Sequence, residues 1–147
     1  RAFDTAERHL QLACTDTLTK LPNRYALEIA LSELPAAGGL TYIDLDGLKY
    51  YNDRFGHERG DRLLCEFSRV LSEQLGADAT LHRLGGDEFA VTVPDGRLQR
   101  VERLIEEAIA VLRRIGYELS GASCGSVHAH ECSTREQLKH LADTRMY

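Results

Sequence analysis

The chain has no apolar run near the roughly 18 residues that a membrane-spanning helix requires, and no signal-peptide pattern at its start. It has no Cys-x-x-Cys pair, and its cysteines (Cys14, Cys65, Cys124, Cys132) are irregularly spaced. That spacing argues against a disulfide framework or a closed zinc site and fits a reducing, cytoplasmic compartment. An excess of positive charge is also missing: 18 basic against 23 acidic residues leave a net charge of −5. This excludes a protein that grips nucleic acid chiefly through its phosphates, so any phosphate must be bound locally. Neither an internal repeat nor a low-complexity linker interrupts the 147 residues. They suffice for one domain that buries about two thirds of its unfolded surface. The first residue is Arg1 rather than Met, which suggests a piece of a longer protein.

Residues 1 to about 15 read as a polar connecting helix, closed by the breaks at Thr15-Asp16 and Pro22-Asn23. Leu27, Ala30, Leu31 and Leu34 share one helical face, and a strand follows over Leu40 to Leu45. Leu64, Phe67, Leu71 and Leu75 form a second stripe, with Asp61 at the expected N-cap. Two alternating runs around Gly85-Gly86 predict a β-hairpin, and a long helix is expected from Leu98 to Ile115. Residues 117 to 130 read as strand, and Ser133 with Glu136 as a capping box before a last helix. This order predicts an α/β sandwich with a central mixed sheet.

Three clusters carry possible chemistry. Asp87 and Glu88 stand at the hairpin tip beside two glycines, where a rigid carboxylate can hold a hard cation; a solvated turn is the plain alternative. Asp44 and Asp46 lie at the end of an apolar strand running into Gly47, with Asp44 the favoured metal ligand. Lys49 and the amides of Gly47 and Leu48 suit an anion, against the alternative of a solvated Asp-Gly turn. Asn52, His57 and Asp61 lie in a polar, glycine-punctuated stretch, and an ionised Asp61 matches the donor edge of guanine. His128, His130 and Cys132 alternate along a predicted strand, but three ligands on one flat strand rarely converge on a tetrahedral metal.

Gly85-Gly86-Asp87-Glu88-Phe89, with the segments Tyr42 to Asp53 and Phe55 to Asp61, closely resembles the GGDEF diguanylate cyclase family. The entry segment Asp16 to Arg24 and the closing Leu141 to Tyr147 extend the resemblance over residues 16–147, the expected catalytic domain. It implies a palm-like, nucleotidyl-cyclase-like fold with a mainly antiparallel sheet flanked by helices. It also implies condensation of two GTP into cyclic di-GMP and two pyrophosphates by a homodimer, each domain carrying one GTP. By position, Asp44, the Leu45 carbonyl and Asp87 would hold Mg²⁺ or Mn²⁺, with Asp87 the candidate base and Glu88 in support. Leu48 and Lys49 would face phosphates; Asn52, His57 and Asp61 would surround the nucleoside; Gly85 and Gly86 would lie against the nucleotide.

The family's frequent Arg-x-x-Asp product site is replaced here by Gly76 and Ala79, so feedback through it is expected to be lost. Leu48 stands where phenylalanine is usual, and Lys20 and Tyr51 are also departures. The family pattern continues beyond Tyr147 into basic residues for the triphosphate. A degenerate domain that binds GTP or a protein partner without turnover is the alternative, and use of ATP is disfavoured by Asp61.

Overall fold

The computed structural model describes residues 4–146; Arg1, Ala2 and Phe3 of the expected first helix, and Tyr147, lie outside the described residues. The elements run α1 (Thr5–Cys14), α2 (Arg24–Ser32), β1 (Gly39–Asp46), α3 (Leu48–Phe55), α4 (His57–Leu75), β2 (Thr80–Gly85), β3 (Glu88–Val93), α5 (Leu98–Arg114), β4 (Gly121–His128) and α6 (Arg135–Met146). The sheet order is β2-β3-β1-β4, and all three pairings are antiparallel. Both crossovers, β1 to β2 and β3 to β4, skip one strand, which is the split βαβ arrangement of palm-like domains.

Strand alternation sorts the core into two layers. Ile43, Leu45, Phe89, Val91 and Val93 turn to the face covered by α4 and α5, where Phe67 meets Phe89 edge-on at 5.0 Å. Leu40, Ala90 and Val127 turn the other way, under Leu27 and Leu31 of α2 and Leu138 and Ala142 of α6. Each fully buried leucine adds about 1.5–3 kcal/mol relative to exposure, so the stripes of α4 and α5 anchor the larger layer. Helix α1 buries no residue. No helix among the described residues is long and apolar enough to cross a membrane.

The structure departs from the sequence reading in three places. The polar stretch after β1 is helical on both sides of Gly56, whose φ of 92° lets α3 end and α4 begin at once. Asp61 is therefore not an N-cap; it lies inside α4, whose N-cap is Gly56. The cap of α6 sits one residue on from Ser133: the Gln137 N–H donates to Thr134 Oγ1 (3.1 Å), and Gln137 Oε1 accepts from the Ser133 N–H (2.9 Å). Strand β4 is shorter than expected, because Ser120 closes a turn on the Tyr117 carbonyl and residues 129–131 form a 3₁₀ turn.

Candidate functional site

The hairpin between β2 and β3 folds over the end of β1. The Leu45 N–H donates to the Asp87 carbonyl (2.8 Å), and the ladder pairs Asp44 with Glu88. The Asp87 carboxyl therefore meets Asp44. Burial first, and then the neighbouring Asp44 charge, push Asp87 above the usual carboxylate range, and the two side chains are hydrogen-bond neighbours. Two acids held together at this cost suit a hard divalent cation. Among the described residues no cluster of three or more His, Cys, Asp or Glu side chains is placed to hold a metal. A cation at this pair would draw its other ligands from the Leu45 carbonyl, water and phosphate oxygens, a coordination habit of small oxygen-seeking cations.

The second acid of the hairpin, Glu88, behaves differently. Glu88 is half exposed and lies 3.8 Å from Arg24 at the start of α2. Gly85 and Gly86 have φ of 145° and 50°, and beyond their chain neighbours no atom of the described residues lies within 4 Å of where a Cβ would stand on either. Conformation thus calls for glycine here, and the space above the turn is open.

The second half of the site is built on α3 and α4. Gly47, at φ 99°, starts α3 without a side-chain cap, so its first amides, including Leu48 and Lys49, face outward without intrahelical acceptors. Lys49 Nζ pairs with Asp53 one turn on (2.7 Å) and is exposed. Asn52 Oδ1 is buried without a partner among the described residues. It lies against Gly60 of α4, where an added methyl would overlap it, so Gly60 is what admits this amide. His57 and Asp61 are exposed on the first turns of α4, four residues apart and hence on one face.

Several residues acquire structural accounts. Gly76 ends α4 at φ 66°, and Ala79 follows the short 3₁₀ turn. Tyr51 is buried, and its hydroxyl accepts the Leu119 N–H (3.1 Å). Lys20 is the non-glycine residue with positive φ (65°) among those described, in the turn after Asp16. His128 and His130 stack at 5.2 Å across the end of β4, where the chain leaves the strand before Cys132. Sequence reasoning missed Arg83, which bonds both Asp16 and the Gly86 carbonyl. Its partner is 67 residues away, a separation at which periodicity carries no signal.

A split βαβ sheet with paired acids at a glycine hairpin defines a cyclase palm-type domain. The chain belongs to the family described as diguanylate cyclase, GGDEF domain, whose sequence model matches residues 13–147. Metal and nucleotide binding are general to that family. The probable diguanylate cyclase DgcI of Escherichia coli is 38% identical over 137 residues, covering 92% of this chain and 30% of that protein. The cyclic di-GMP phosphodiesterase PdeR of Escherichia coli is 34% identical over 160 residues, covering 97% of this chain and 24% of that protein. The chain thus spans under a third of either relative. A solved microbial GGDEF domain, described for its interaction with cyclic di-GMP, superposes with a TM-score of 0.78 at 32% identity, covering 92% of this chain and 91% of that one.

Proposed function

We propose that the chain is the catalytic domain of a diguanylate cyclase, joining two GTP molecules into cyclic di-GMP with release of two pyrophosphates. The observation that carries this reading is the meeting of Asp44 and Asp87 at the end of β1, with Asp87 held above its ordinary range. Asp44, the Leu45 carbonyl and Asp87 would hold Mg²⁺ or Mn²⁺. Such a cation, when bound, offsets charge on the reacting phosphate and lowers the pKa of the attacking hydroxyl. Asp87 is the candidate to accept the 3′-hydroxyl proton. Glu88, steadied by Arg24, lends charge without touching the pair as closely.

The Leu48 and Lys49 amides would receive phosphate oxygens, and Lys49 can leave its exposed partner Asp53 at little cost. Asn52, at the α3–α4 contact, would meet the nucleobase, and Asp61 with His57, exposed on the first turns of α4, would complete that edge. The open floor at Gly85 and Gly86 admits the nucleotide. One such site holds one GTP, so turnover requires two domains face to face in a homodimer. Helix α1, with no buried residue, is suited to join an upstream sensory or dimerisation module, and residues 16–147 form the catalytic unit. The free cysteines suit a cytoplasmic setting.

The test is incubation of native-length protein with GTP and Mg²⁺ or Mn²⁺, with chromatography for cyclic di-GMP. Product is expected from the wild type and not from Asp87→Ala; identical absence in both would sink the enzyme reading. The match to PdeR, a protein named for the opposite activity, favours a second reading as a GTP-binding regulatory domain. That reading is supported if GTP binds and no product forms.

A further inference from the structure

The turn that carries Asp87 is tied in front to β1, where the Leu45 N–H donates to the Asp87 carbonyl (2.8 Å). Gly85 and Gly86 occupy conformations only glycine adopts readily, and their Cβ positions face open space. The turn is held from behind by Arg83. Its Nε and Nη2 donate to the Gly86 carbonyl (3.2 and 3.0 Å), and its Nη1 donates to both oxygens of Asp16 (3.0 and 3.1 Å). Both side chains are largely buried, at 13% and 18% exposed. The Gly86 carbonyl belongs to the peptide that supplies the Asp87 nitrogen, so a two-pronged bond to it fixes the plane from which the metal-facing carboxylate departs.

Asp16 is itself the organiser of the entry turn. Burial alone would raise its carboxyl, but hydrogen bonds from Thr19 and Arg83 outweigh burial and hold it below the ordinary range. Asp16 Oδ2 accepts from the Thr19 N–H and Oγ1–H (2.8 and 2.7 Å), and the Asp16 carbonyl accepts the Lys20 N–H (2.9 Å). The same turn is tied to the end of α1 on one side and to β2 on the other. The Asn23 N–H and Nδ2 donate to the Cys14 and Ala13 carbonyls (2.9 and 2.8 Å), while the Arg83 N–H donates to the Pro22 carbonyl (2.9 Å).

We infer that Arg83 is a positioning residue for the Asp44/Asp87 cation site, and that Asp16 couples its geometry to the end of α1. The chain of contacts is continuous: the last turn of α1, the entry turn, the Arg83 guanidinium, the Gly86–Asp87 peptide. A displacement of the end of α1 is carried along this path to the Gly86–Asp87 peptide. The inference rests on the proposed cation site, but its test does not depend on turnover.

The experiment titrates Mn²⁺ into native-length protein with 3′-deoxy-GTP, which lacks the attacking hydroxyl, and follows the free-ion signal by electron paramagnetic resonance. Arg83→Met removes the side-chain bonds to both Gly86 and Asp16; Arg83→Lys keeps a charge for Asp16 but cannot present the planar fork. Loss of such an outer support is expected to weaken Mn²⁺ about 10-fold or more in Arg83→Met, and measurably in Arg83→Lys. Affinity for 3′-deoxy-GTP at saturating Mn²⁺ should stay near wild type. Asp16→Asn should weaken Mn²⁺ in the same direction; an unchanged value overturns the coupling to α1. If Arg83→Met fails to fold, Arg83→Lys decides. Unaltered Mn²⁺ affinity in Arg83→Lys, or a parallel loss of nucleotide affinity at saturating Mn²⁺, overturns the positioning role. A wild type that binds no Mn²⁺ overturns it as well. A wild type that binds Mn²⁺ yet makes no cyclic di-GMP defeats the cyclase reading alone.

Discussion

His82 makes the stability of this domain depend on pH in a way that can be worked out from its surroundings. It sits on β2, the strand that enters the acidic hairpin, at 2% exposure, with Nε2 3.3 Å from Thr92 Oγ1. Burial pushes its pKa from 6.5 down to about 4, only partly offset by the Asn23 backbone. A depressed folded value means that the unfolded chain binds the proton more readily between those two values. Stability is therefore full above about pH 6.5 and falls as the pH drops towards 4. Linkage gives a loss of about 2 kcal/mol between about pH 7 and pH 5, and about 3 kcal/mol by pH 4. For a domain of this size 2 kcal/mol corresponds to a fall in Tm of roughly 4–8 °C. Urea unfolding across that pH range, on wild type and His82→Gln, measures it. The variant should lose most of the slope; a slope equal to that of the wild type would refute the assignment to His82.

The α3–α4 contact makes an opposite-signed test of an ordinary rule. Alanine for glycine inside a helix normally stabilises by about 1 kcal/mol, but at Gly60 the methyl overlaps Asn52, and overpacking of this kind costs about 1–3 kcal/mol. Gly60→Ala should lower Tm and weaken GTP binding; retained GTP affinity in calorimetry would show that Asn52 does not face the base. For product feedback, Gly76 and Ala79 offer neither a guanidinium nor a carboxylate at the expected site. Added cyclic di-GMP should leave initial rates unchanged in a pyrophosphate-release assay, and strong inhibition would reveal a product site elsewhere.

Much of the fold was legible because burial leaves periodic marks. The stripe through Leu64, Phe67, Leu71 and Leu75 is the buried face of α4, and Val101, Leu104, Ile105, Ala108 and Leu112 are that of α5. The α3–α4 corner escaped because a helix of eight residues carries barely two turns of pattern, and two glycines read as loop. One of those glycines, Gly56, turns the corner; the other, Gly60, lies within α4 to admit Asn52. The departure at Lys20 found its context only as a strained turn position, and that at Tyr51 as an aromatic packed on Tyr117 at 5.3 Å.

The amino-acid sequence alone determined the order of the strands and of the longer helices, the two acids at the hairpin and the acid at the strand end. These follow from local propensity and alternation, which act over a few residues. It also determined what stands at the lost product site, since side-chain identity needs no folding. Only the tertiary structure decided that Asp44 and Asp87 touch, that Asn52 Oδ1 has no partner among the described residues, and that Arg83 reaches Asp16. The first and the last join residues distant in the chain, and such contacts depend on register and crossover, which no local pattern encodes.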